Sequence, residues 1–178
     1  MQRLRPLFLI AIAVGLGAGP AAAQSAATDY RDEFMHHFRQ STRKIISLAE
    51  AMPEELYMWS PGPGVLPVGQ VYMHIARYNY FYPETALGIA APADVDVANL
   101  ESITEKAEIT KLLRQSVEHV RLHVSRMTTE DLTRTTTLYR RQIAGWAVLF
   151  QLLAHMNEHV GQSVSYARMN GIVPPWSM

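Results

Sequence analysis

The chain has 178 residues, of which 48% are hydrophobic and 18% charged, a composition that excludes a disordered or fibrous chain and suits one globular domain. Lys plus Arg and Asp plus Glu stand at 16 each, so the formal net charge of zero argues against a basic nucleic-acid surface. There is no cysteine, which excludes a disulfide, a thiolate metal site and a cysteine nucleophile.

Residues 1–23 read as a cleavable signal peptide. Arg3 and Arg5 form a positive start, Pro6 to Gly19 is uncharged and mostly apolar, and Ala21-Ala22-Ala23 offers the small residues that signal peptidase needs, with Gln24 as the new N-terminus. An apolar stretch of about 14 residues is shorter than the roughly 20 that span a bilayer, so no stable membrane insertion is expected after cleavage. No lipobox cysteine follows. The expected mature protein, residues 24–178, is a single soluble domain of slightly acidic charge in the periplasm.

The rest reads as helical. A first helix is expected from Asp29 to Ala51, with Thr28 as N-cap and acids in its first turn. Its apolar positions Phe34, Phe38, Ile45, Leu48 and Met52, with Ser41 completing the series, recur at three- and four-residue steps. Pro61-Gly62-Pro63-Gly64 and Pro67 make 53–67 a connection, with room for a short helical turn over Pro53–Trp59. A second helix starts at Pro67 or Val68 and runs to Leu87, kinked at Pro83 and capped by Gly88. Ala90 to Leu100 has no periodicity and reads as a loop. A third helix, Thr104 to Met127, carries the stripe Ile109, Leu113, Val117, Val120, Val124 and Met127. The threonine-rich stretch from Thr128 to Arg141 is a linker that admits a short strand or hairpin. A fourth helix runs from Ile143 to Asn170 and stops at Gly171 before Pro174-Pro175. Four long amphipathic helices predict an all-α four-helix bundle.

Among the seven histidines, two pairs have i,i+4 spacing, which stacks two imidazoles on one helix face within reach of one metal ion. His155 and His159 continue a row with Val148, Leu152, Tyr166 and Met169, beside the apolar row Phe150, Leu153, Val160, Val164 and Ala167. That pair points inward. His119 and His123 share a row with Leu112, Ser116 and Arg126 at the edge of the third stripe and read as a boundary or surface feature. His74, among Val71, Tyr78 and Phe81, is alone on its face. It is either a core histidine or the third donor for the inward pair. Three neutral imidazoles suit Zn, Ni, Cu or Fe and leave a coordination position open. Two other motifs rank lower. His155-Met-Asn-Glu158-His159 fits H-x-x-E-H, but no Asp or Glu follows Glu158 to supply the further acidic ligand of such metalloproteases. Glu33-Phe-Met-His36 is an E-x-x-H motif without the second that a di-iron bundle requires.

The chain resembles the DinB/YfiT-like superfamily of metal-binding four-helix bundles. The resemblance rests on Gly69-Gln70-Val71-Tyr72-Met73-His74-Ile75, on His155-Met-Asn-Glu-His159-Val-Gly161-Gln162, and on Tyr166-Ala-Arg168-Met-Asn170-Gly171-Ile-Val-Pro174-Pro175, and it covers about residues 28–177. It implies one divalent ion, zinc or nickel, held by His74, His155 and His159 with water completing the shell, and a homodimer. Some relatives are thiol-dependent transferases or isomerases. An export signal sits poorly with that chemistry, because reduced small thiols are a cytoplasmic resource.

Glu158 is a candidate general base, against the alternative of a solvated face; Gln162 is a candidate partner for a ligand water. Tyr78 and Tyr166 are candidates to line a substrate pocket, against plain core packing. Three functional readings follow. The first is a metal-dependent hydrolase or transferase acting on a small molecule. The second is a non-catalytic bundle that binds a metal or small ligand. The third is a structural bundle whose interior histidines are merely buried.

Overall fold

The structure is a computed structural model that describes residues 20–177. Residues 1–19 of the expected leader lie outside the described residues. Helix α1 runs over Pro20–Ala51. Thr28 is therefore inside the helix and not its cap: from Ala21 to Ala27 the chain is rich in alanine, the best helix former, and Pro20 occupies a first position where its missing N–H is tolerated. The expected inward series is buried, from Phe34 and Phe38 through Ser41 to Ile45, Leu48 and Met52.

A 3₁₀ turn at Glu54–Leu56 leads through the Pro-Gly connection to α2, Val68–Tyr82. At Pro83 the helix widens into a π-helical turn, Pro83–Leu87, which ends at Gly88 with φ of 72°. A proline inside a helix lacks the N–H and collides with the carbonyl four residues back; the wider turn absorbs it, so the run reaches Leu87 as expected. A 3₁₀ helix, Val97–Ser102, forms within and beyond the expected loop and precedes α3, Lys106–Val124.

The threonine-rich linker is ordered. Thr128 and Asp131 form a reciprocal capping box on the short helix α4, Thr129–Thr133. Strands β1, Thr135–Leu138, and β2, Arg141–Ala144, then pair antiparallel, with Thr135 opposite Ala144 and Leu138 opposite Arg141. Thr136 Oγ1 donates to the Ala86 carbonyl at 2.6 Å and pins the hairpin to the π turn. Helix α5, Gly145–Met169, begins directly after β2. Its first residue passes so close to α4 that a Cβ on Gly145 would overlap the Asp131 carbonyl oxygen.

The four long helices share one core. α2 lies against α3 and α5, and α1 lies against the same two. Phe38, Ile45 and Leu48 of α1 meet Val71, Tyr72 and Ile75 of α2, Ile109, Leu113 and Val120 of α3, and Val148, Leu152 and Met156 of α5. The ends of the α5 apolar rows depart from expectation, since Phe150 and Met169 are exposed. Among the described residues no helix is long and apolar enough to cross a membrane.

Candidate metal centre

Two helices bring the three expected histidines together. His155 and His159 sit one turn apart on α5, and His74 reaches them from α2. His155 Nε2 lies 3.3 Å from His74 Nε2 and 3.3 Å from His159 Nε2. One ligand atom from each of the three lies within 4.8 Å of the others. All three side chains are half-buried.

The outer nitrogens fix which atoms face inward. His74 Nδ1 is 2.8 Å from Glu101 Oε1, an oxygen of an ionised carboxylate that can only accept, so Nδ1 carries the hydrogen. His159 Nδ1 is 2.8 Å from Gln162 Oε1, and the Gln162 amide nitrogen is committed as a donor to Tyr166 Oη at 2.7 Å. His159 Nδ1 therefore also carries its hydrogen. In their neutral form these two imidazoles present bare Nε2 lone pairs toward one point, and His155 adds a third nitrogen. At most one of the three Nε2 atoms can supply a proton to relieve the crowding.

This donor set fits a first-row divalent ion. With metal–nitrogen bonds of about 2.05 Å, a tetrahedron has an edge of ~3.35 Å, close to the separations found here. Protons compete weakly for the site. Burial, and after it the neighbouring His159 and His74, push the His155 pKa down to about 4. Burial also lowers His159, against an opposing pull from its Gln162 bond. Burial works against ionisation of Glu101, but bonds from Arg77 (3.1 Å) and His74 outweigh it and hold the carboxyl below its usual range. A carboxylate that orients a ligand imidazole through its second nitrogen is the usual companion of a histidine metal site.

The other expected residues take distinct places. Tyr78 packs on both His155 and His74, with ring centroids 4.3 and 4.7 Å apart, and so lines the cluster. Gln162 orients His159 directly. Tyr166 is buried behind Gln162, edge-on to Trp59, and backs the cluster without touching it. Glu158 is exposed on the outer side of α5 and makes none of the bonds that hold the imidazoles.

The pair His119 and His123 lies at the boundary of the core, one of the two expected alternatives, and not on an open surface: His123 is half-buried. His119 is only 7% exposed, its ring lies 5.0 Å from that of Tyr80, and burial followed by the proximity of His123 lowers its pKa. The edge of the α3 stripe is covered because α2 packs along it, with Asn79 donating to Ser116 at 3.0 Å. Sequence reasoning also missed Glu101 and Arg77. Glu101 sits in an irregular 3₁₀ segment 27 residues from His74, and no spacing rule links the two.

Fold and site together define a mostly helical protein with a three-histidine cluster that could hold a metal ion. The family model of the DinB superfamily matches residues 37–165, and the chain belongs to that superfamily. A DinB-like protein of Bacillus cereus ATCC 10987 has the same fold, with a TM-score of 0.68 at 21% identity over 81% of this chain and 95% of that one. A DinB-like protein of Bacillus subtilis matches with a TM-score of 0.62 at 18% identity, covering 79% of this chain and 94% of its own. A comparison with curated proteins gave no match.

Proposed function

We propose that this DinB protein is an exported four-helix bundle that holds one divalent ion, zinc or nickel, through His74, His155 and His159, and that it is a hydrolase or transferase of a small molecule. The observation that supports this reading best is the convergence of three Nε2 atoms, two of which, on His74 and His159, belong to rings whose outer nitrogens are bound elsewhere. Held by three neutral imidazoles, such an ion keeps a coordination position for water or a substrate group, acidifying the one or polarising the other.

The protein's own residues have separable tasks in this reading. Glu101 and Gln162 hold His74 and His159 in the tautomer that leaves Nε2 free. Low proton affinity keeps His155 a ready ligand at neutral pH. Glu158 is assigned as the proton acceptor at the rim, being exposed and near enough for its charge to act on His159. Tyr78 is assigned to the substrate face, because its ring covers His155 and His74. The charged start, apolar stretch and Ala21-Ala22-Ala23 of the leader support export to the periplasm, and a homodimer is the assembly proposed.

The test is metal content by elemental mass spectrometry on tag-free protein starting at Gln24, alongside His74→Ala and His155→Ala. The proposal expects about one equivalent per chain in the parent and little in either variant. A parent that stays empty after incubation with zinc and with nickel would sink it. N-terminal sequencing of the periplasmic form checks cleavage after Ala23, and sedimentation checks the dimer.

A further inference from the structure

The turn of the β1–β2 hairpin is made by Tyr139 and Arg140, with φ of 50° and 62°. Two consecutive positive values are the pattern of a type I′ turn, in which Asn-Gly is strongly preferred because side-chained residues are strained there. Neither residue here relieves that strain. Tyr139 is also 58% exposed. Strain kept at one exposed aromatic is a reason to ask what that side chain touches.

Tyr139 leads to the histidine cluster. Its hydroxyl shares a hydrogen bond of 2.8 Å with that of Tyr82, and the two rings meet edge to face at 6.1 Å. Tyr82 is buried and packs edge-on against His155 at 5.7 Å and against Tyr78 at 5.1 Å. Tyr78 in turn covers His155 and meets Phe81 at 5.4 Å. The other polar neighbour of the Tyr82 hydroxyl is Gln151, one helical turn before His155 on α5. The Thr136 bond to Ala86 holds the hairpin against the π turn and so keeps Tyr139 at the outer end of this row. A row of aromatic rings thus runs from the cluster to an exposed phenol, with hydroxyl and amide groups along it.

We propose that Tyr139 is a specificity-determining residue of this site: anchored by the buried Tyr82, its exposed ring joins the half-buried Tyr78 in a binding face for a planar aromatic ligand whose polar end lies at the three histidines. This rests on the metal-site reading above. Rings offer edge-to-face and offset contacts to another flat π system that an aliphatic group cannot make. The Tyr82–Tyr139 hydroxyl pair gives such a ligand a polar contact away from the cluster.

Two zinc-binding probes separate the parts, benzohydroxamate with a ring and acetohydroxamate without one. Both would be titrated by calorimetry into tag-free, zinc-loaded protein. Tyr139→Gly suits the positive φ, so the hairpin is kept while the ring is lost. Tyr139→Phe restores the ring alone. Zinc content is measured on each sample. The proposal expects the ratio of benzohydroxamate to acetohydroxamate affinity to fall about tenfold in Tyr139→Gly and to recover in large part in Tyr139→Phe. A zinc-loaded Tyr139→Gly protein with the parent's ratio would overturn this inference and leave the metal site standing. A parent that takes up no zinc would overturn both.

Discussion

Glu101→Gln gives the sharpest test of how the cluster is held. The carboxylate accepts from His74 Nδ1 at 2.8 Å and from Arg77 Nη1 at 3.1 Å, and its side chain is 23% exposed. Both bonds end on the same oxygen, Oε1, so glutamine keeps an acceptor for His74 and Arg77 but loses the charge. The loss is the difference between a charged and a neutral acceptor, about 1–2 kcal/mol, or roughly 5- to 30-fold in zinc affinity. Outer partners of ligand histidines are generally worth about 10- to 100-fold in affinity, the same range. Gln162→Leu removes a neutral acceptor from His159 and is expected to lose less, about 0.5–1.5 kcal/mol. Both are read by competition with a chromophoric chelator at pH 7, with circular dichroism as the check on folding. A Glu101→Gln protein within about twofold of the parent, or one less affected than Gln162→Leu, would refute the idea that the charge of Glu101 strengthens the site.

Three further outcomes are expected of the protein. His155 has a pKa of about 4 when folded, against an ordinary value of 6.5, so between these values the unfolded chain binds a proton that the folded one refuses. Metal-free protein is therefore expected to lose stability as pH falls from 6.5 toward 4, and thermal melts of His155→Gln should show a shallower slope. Gly145→Ala would press a methyl into the Asp131 carbonyl, a backbone atom that cannot swing away; denaturant melts should show a loss of about 1–3 kcal/mol. Replacing Tyr139-Arg140 by Asn-Gly relieves two positive-φ positions, about 2–4 kcal/mol, and gives up the hydroxyl bond to Tyr82, about 1 kcal/mol, so it should stabilise the protein by about 1–3 kcal/mol and raise the melting temperature by several degrees.

The parts legible in the sequence are those governed by local periodicity. The series from Phe34 to Met52 is buried as its spacing requires, and Pro67, Gly88 and Gly171 mark ends that the chain respects. Thr28 misled because a good capping residue loses to an uninterrupted alanine-rich run upstream. The hairpin was legible only as an option from its threonines, since a turn of Tyr139 and Arg140 hides the Asn-Gly signal that would have marked it. Glu101 was not legible at all. Its role depends on how a 3₁₀ segment lies across α2, and that is settled by tertiary packing.

The two histidine pairs show what spacing can and cannot decide. His119/His123 and His155/His159 have the same i,i+4 interval, and each leading member faces α2. The difference lies in what α2 offers. Toward α5 it presents His74, whose Nδ1 is already taken by Glu101, so its Nε2 meets those of His155 and His159. Toward α3 it presents Tyr80, whose hydroxyl, like His119 Nε2, is buried with no hydrogen-bond partner among the described residues. His74 and Tyr80 are six residues apart, which a helix of 3.6 residues per turn places about 120° from one another around its axis. One helix therefore makes a donor cluster on one side and an aromatic contact on the other. A pair on a single helix becomes a metal site only when the neighbouring helix supplies the third nitrogen and a further residue fixes its tautomer.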